Sequence, residues 1–131
     1  MTKKEMAKEF HKKGFNCAQS VALPFCEELG LDPVMVAKGM EGFGGGMGGY
    51  NLTCGALSGA IYIAGIINSD GNMESPSSKR NTYAVCKKLS SEFKELCGST
   101  NCPEIKGLDT GKPLTSCDEC IANAIKLLEN L

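Results

Sequence analysis

Four of the chain's eight cysteines directly follow a residue that favours a helix cap: Asn16-Cys17, Thr53-Cys54, Asn101-Cys102 and Ser116-Cys117. A thiol in the first turn of a helix faces unpaired backbone N–H groups and the positive end of the helix dipole, which favour thiolate over thiol. Thiolate is the form that attacks disulfides and binds metals. The other four, Cys26, Cys86, Cys97 and Cys120, follow Phe25, Val85, Leu96 and Glu119 and fall on apolar helical stripes. Free cysteine is among the most buried residue types, so Cys26, Cys86 and Cys97 are expected to pack in the core.

Cys120 has two readings. The CDEC run puts it one turn from Cys117 on the same helix face, a redox or metal spacing, yet it also matches the apolar stripe and lacks a βαβ context. The four capped cysteines are 37, 48 and 15 residues apart, which fits no standard zinc ribbon or ferredoxin run. A helical bundle can nevertheless bring several helix starts to one end, where four thiolates would suit tetrahedral zinc or an iron–sulfur cluster. The run GFGGGMGG, Gly42 to Gly49, exposes backbone N–H groups that could cradle an anion or let a cofactor approach at Gly44, Gly45 and Gly46. No GKS/T pattern follows and no strand precedes, which argues against a phosphate loop, and a tight passage between packed helices fits the run as well as a binding site. The run delivers the chain straight to Cys54. The single histidine, His11, lies among lysines and is expected in solvent, and no acid pair or HExxH supports hydrolase chemistry.

These residues are expected on a single domain, 1–131, large enough to bury a core without disulfides. Formal net charge is −1 and no Lys/Arg tract exceeds two residues, so the basic surface of a nucleic-acid binder is missing. The charged start MTKKEMAKEFHKK has no apolar core, and the stretch Ala56 to Ile67 is too short for a bilayer, so neither a secretory leader nor a membrane span is expected. A cytoplasmic protein follows from that reading. In that compartment thiols stay reduced unless they are catalytic, redox-sensing or metal-bound.

The elements that must position the cysteines are helical throughout, giving an all-α class of five or six helices. Lys3 to Lys12 forms the first, with Met6, Ala7 and Phe10 inward. Asn16 opens the second with Gln19 completing a capping box, Pro24 interrupts it and Gly30 ends it. Asp32-Pro33 starts a short third. The glycine run is a loop, because no helix survives that backbone entropy. From Thr53 to Ile67 an apolar central helix follows, its small residues Gly55, Ala56, Ser58, Gly59, Ala60 and Ala64 allowing neighbours close. Asn68 to Ser78 is polar and expected to be the most mobile internal segment. Pro76 to Leu96 forms a long helix with Tyr83, Cys86, Leu89, Phe93, Leu96 and Cys97 on one side. One turn is expected after Asn101, and a last helix starts at Ser116 with Glu119 as its capping partner.

GFNCAQSV (Gly14 to Val21), GFGGGMGG running into CGALSGA (Cys54 to Ala60), Gly98-Ser-Thr-Asn-Cys102 and a closing Cys117 resemble the C_GCAxxG_C_C proteins, small helical proteins with a CGAxxG motif and four spaced cysteines. The resemblance spans Gly14 to Leu128 and implies a redox-active protein without an established substrate. It also implies that the four cysteines are Cys17, Cys54, Cys102 and Cys117, with Cys120 outside the pattern. Three functions fit. The first is thiol/disulfide or electron-transfer chemistry led by Cys54, whose approach is flanked by glycines and whose helix start looks the best exposed. The second is a metal or iron–sulfur module using the same four ligands. The third is a non-catalytic helical interaction protein. Substrate, redox partner, cofactor and homo-oligomeric state are left open by the residues.

Overall fold

The structure, a computed structural model, describes all residues from Met1 to Leu131 and is all-α. Helix α1 (Lys3–Lys12) has the expected bounds, opened by a reciprocal capping box between Thr2 and Glu5. Asn16 and Gln19 cap α2 (Cys17–Ala22) in the same way. Pro24 then tightens Leu23–Phe25 into a 3-10 turn before α3 (Cys26–Leu29) resumes, since proline cannot donate the next helical hydrogen bond. Asp32 caps α4 (Pro33–Met40).

The glycine run is irregular, as its composition requires. Glu41–Phe43 make a 3-10 turn, and Gly46–Tyr50 wind widely with Met47 and Gly48 at φ 66° and 81°. Helix α5 (Gly55–Asn68) follows and forms the centre, packing on α2, α6 (Lys79–Cys97) and α8 (Cys117–Glu129), while α1 lies across α2 and α8. A side chain at Gly59 would put its Cβ 2.6 Å from the Ala18 carbonyl oxygen, so this glycine sets how closely α2 and α5 approach. One apolar core of 25 buried residues runs from Ala7 on α1 to Leu128 on α8.

Two details depart from expectation. Helix α6 begins at Lys79, three residues late, because Ser77 and Ser78 are engaged with Asp70: Ser77 donates to its carboxylate at 2.9 Å and Ser78 Oγ accepts its N–H at 3.0 Å. Asn72 also accepts from Glu74 and Ser75, so the polar segment after α5 is a hydrogen-bonded loop. On α6, Leu89, Phe93 and Cys97 are buried, but Tyr83 and Leu96 are exposed: Tyr83 lies in the helix's solvent-facing first turns, and Leu96 turns away from the α5 and α8 contacts that cover Cys97. The expected turn after Asn101 is present as a short helix, α7 (Cys102–Lys106).

Candidate functional site: a cysteine-lined pocket

All four capped cysteines line one pocket of about 180 Å3, together with Cys120, His11, Asn16, Gly45, Tyr50 and Lys106. They arrive from four different segments. Cys17 is the first residue of α2 and Cys117 the first of α8, set by Asn16 and Ser116, whose side-chain oxygens accept the N–H groups of Gln19 and Glu119.

Cys54 and Cys102 are set by a different device. Thr53 pairs with Asn101 in an isolated antiparallel bridge, with Cys54 N–H donating to Thr100 C=O and Cys102 N–H to Leu52 C=O, both at 2.8 Å. Two strand-like fragments 48 residues apart in sequence thus hold the two backbones side by side. The bridge corrects the expected caps. Thr53 is committed to it, so Cys54 itself is the N-cap of α5. Asn101 makes no capping bond either, because its amide donates to Glu104 Oε1 at 3.2 Å and Glu104 Oε2 accepts from Ser99 at 2.8 Å. Those hydrogen bonds hold the Glu104 carboxyl below the usual range.

The glycine loop closes the site by close approach. A Cβ at Gly46, where φ is +59°, would lie 2.6 Å from Cys102 Cβ, and one at Gly44 would collide with the Asn16 side chain. Of the three glycines expected at a cofactor, Gly44 and Gly46 therefore make room for Asn16 and Cys102, and only Gly45 lines the pocket. At Gly55 a Cβ would collide with the Cys17 sulfur and stand 2.9 Å from Phe43 C=O. The two glycines of CGAxxG are thus spacers, Gly55 for the Cys17 sulfur and Gly59 for α2.

Electrostatics separate the thiols. Cys54 has its pKa lowered to about 7, first by a hydrogen bond from the Cys120 thiol, then by the N–H groups of Ala56 and Leu57 at the start of α5 and the Lys106 ammonium, all against the opposing effect of burial. Burial wins at Cys17 and Cys102, whose thiols are pushed up, although the Gly45 and Ala18 N–H groups oppose this at Cys17 and Lys106 opposes it at Cys102. The neighbouring sulfurs add to both rises. A helix start alone therefore does not make a thiolate here. Nor is Cys54 the best exposed of the four: it is 7 % exposed, while Cys17 and Cys117 are half-buried, because the bridge and the glycine loop cover it.

Several pocket residues were missed or left undecided by sequence reasoning. Cys120 lines the wall from the inner side, and its spacing from Cys117 was the available signal. His11 is not free in solvent: its Nδ1 donates to Asp118 Oδ1 at 2.8 Å, which draws it to the pocket mouth. Nothing in the lysine-rich α1 sequence signals that contact. Lys106, one turn after Cys102 on α7, sits 5.1 Å over the Tyr50 ring. All eight cysteines are free thiols, and no three His, Cys, Asp or Glu side chains gather at metal-binding spacing. No helix is long and apolar enough to cross a membrane.

Residues 15–131 match the family model described as "Putative redox-active protein (C_GCAxxG_C_C)", and the chain belongs to that family. The family label writes its central motif in the order Gly-Cys-Ala, whereas this chain has Cys54-Gly55-Ala56. Among relatives, an "Uncharacterized protein" of Archaeoglobus fulgidus is 29% identical over 122 residues, covering 86% of this chain and 81% of its own length. No solved structure matches.

Proposed function

We propose that this protein is a cytoplasmic thiol redox protein in which Cys54 is the attacking thiolate and Cys17, Cys102 and Cys117 surround the substrate sulfur. The observation that carries this reading is the Cys54 thiol, lowered to about 7 within a pocket that also holds the other three. At about 180 Å3 the pocket is smaller than the roughly 300–1,000 Å3 of ordinary ligand sites, so it suits the sulfur end of a disulfide substrate better than a whole cofactor. Lys106 favours the thiolate, and His11, held by Asp118, stands where a leaving thiolate needs a proton.

Alkylation of the fully reduced protein at graded pH, followed residue by residue by mass spectrometry, tests it. Cys54 modification is expected to be half-maximal near pH 7, present above that pH and lost as pH falls through it. Cys26 and Cys86, both pushed up by burial, react only at higher pH. A Cys54 that titrates with the ordinary thiols near ~8.5 sinks the proposal.

A second reading keeps the same four cysteines as ligands of an iron–sulfur cluster or zinc. The convergence of four thiols from four segments favours it, and the absence of any three at metal-binding spacing means the pocket would have to contract. Anaerobic purification with metal analysis and a visible spectrum decides: stoichiometric iron or zinc supports this reading, and a colourless, metal-free protein removes it.

A further inference from the structure

Two of the cysteines outside the family's four differ from ordinary packing thiols. Cys120 is 1 % exposed, yet it forms part of the pocket wall that Cys54 also lines. Cys97, the last residue of α6, is equally buried, and its sulfur accepts a hydrogen bond from Asn123 Nδ2 at 3.4 Å. Asn123 lies three residues after Cys120, one turn along α8, so the amide that holds Cys97 also holds it against the α8 face carrying Cys120. Helix α8 packs on both α5, which Cys54 caps, and α6, which Cys97 ends. By contrast, the Cys26 sulfur finds only the Ala22 carbonyl of its own helix turn, at 3.9 Å, and lines no part of the pocket.

We propose that Cys54, Cys120 and Cys97 form a relay from the pocket into the core, in which Cys120 resolves the mixed disulfide formed at Cys54 and Cys97 then displaces Cys54. The relay rests on the thiol reading above and adds which thiols finish the reaction. With a low-molecular-weight disulfide R–S–S–R as oxidant, the Cys54 thiolate breaks its S–S bond, forms Cys54–S–S–R and expels the first RS⁻. Cys120 attacks the Cys54 sulfur, forming Cys54–Cys120 and expelling the second RS⁻. Cys97 attacks the Cys120 sulfur, forming Cys97–Cys120 and returning Cys54 as a thiolate. The two protons come from the Cys120 and Cys97 thiols and end on the two RS⁻ groups. The two electrons come from the same pair.

The charges support that order. The Cys120 thiol is pushed up, first by its hydrogen bond to Cys54 and then by the one to Cys97, and both of those neighbours are lowered by it. Converting Cys54 to a mixed disulfide removes the negative charge that raises Cys120 most. Cys120 is therefore held protonated until Cys54 has reacted, and becomes easier to ionise once it has.

The test uses the full, reduced chain and glutathione disulfide under anaerobic conditions, with acid quench and mapping of linked peptides. Cys97 and Cys102 share the tryptic peptide Glu95–Lys106, and Cys117 and Cys120 share Gly107–Lys126, so fragment spectra are needed to separate each pair. Wild type is expected to end at Cys97–Cys120 with two glutathiones released per chain. Cys97→Ser stops at Cys54–Cys120, and Cys120→Ser leaves glutathione on Cys54 with a lifetime at least ~10-fold longer, while Cys26→Ser behaves as wild type. The wild-type map decides even where a variant fails to fold. A Cys54 link to Cys17, Cys102 or Cys117 as the end product overturns the relay and leaves the proposed function standing. A Cys54 that never takes up glutathione overturns both.

Discussion

The four cysteines of the family pattern form two pairs built differently. Cys17 and Cys117 sit just inside helices whose first N–H groups are already taken by Asn16 and Ser116 oxygens. Cys54 and Cys102 follow Thr53 and Asn101, which are occupied in pairing with each other. With no polar cap ahead of it, Cys54 becomes the cap, and the N–H groups of Ala56 and Leu57 act on sulfur. Cap and thiol compete for the same donors. At Cys54 the missing cap leaves the donors to the sulfur, whereas at Cys102, where the cap bond is missing too, burial still pushes the thiol up.

That contrast can be broken most severely at Gly55. Alanine is ordinarily better than glycine inside a helix by about 1 kcal/mol, but here its Cβ meets the Cys17 sulfur and the backbone at Phe43 and Gly44, none of which yields cheaply. The clash wins, so Gly55→Ala is expected to destabilise by about 2 kcal/mol in urea unfolding and to make Cys17 react faster with alkylating reagents. Equal or higher stability would show that the loop does not rest on α5. A milder cut is Asn16→Ala, which removes a true cap and should cost about 1 kcal/mol while leaving the Cys54 titration in place. If that titration moves with it, the two pairs are not independent. The smallest expected change is Lys106→Met. It removes the last of the influences on Cys54, so its midpoint should rise, by less than in Cys120→Ala, as measured by pH-dependent alkylation.

The scaffold was largely legible because its signals are local. Asn16 with Gln19, Pro24, and Asp32-Pro33 each act within a few residues, and all lie where periodicity and capping put them. The four capped cysteines do reach one pocket, but Cys120, which the family pattern leaves out, lines it beside them. The chemistry that distinguishes them was not legible. It depends on contacts between distant segments: Thr53 with Asn101, His11 with Asp118, Cys97 with Asn123. Thr53 has the residue type of a cap, and only its partner across the bridge disqualifies it. Burial has the same character, for it raises Cys17 and Cys102 through neighbours that sequence spacing does not bring near.

The bridge at Thr53 also governs how the site fluctuates. Its two hydrogen bonds run in opposite senses, Cys54 N–H to Thr100 C=O and Cys102 N–H to Leu52 C=O, so each strand-like fragment holds one amide of the other. A local opening that frees one of these amides frees the second with it, because neither fragment has a neighbouring strand to keep it in place. Cys54 and Cys102 should accordingly share one amide-exchange rate, and each opening event would bare two sulfurs to solvent at once.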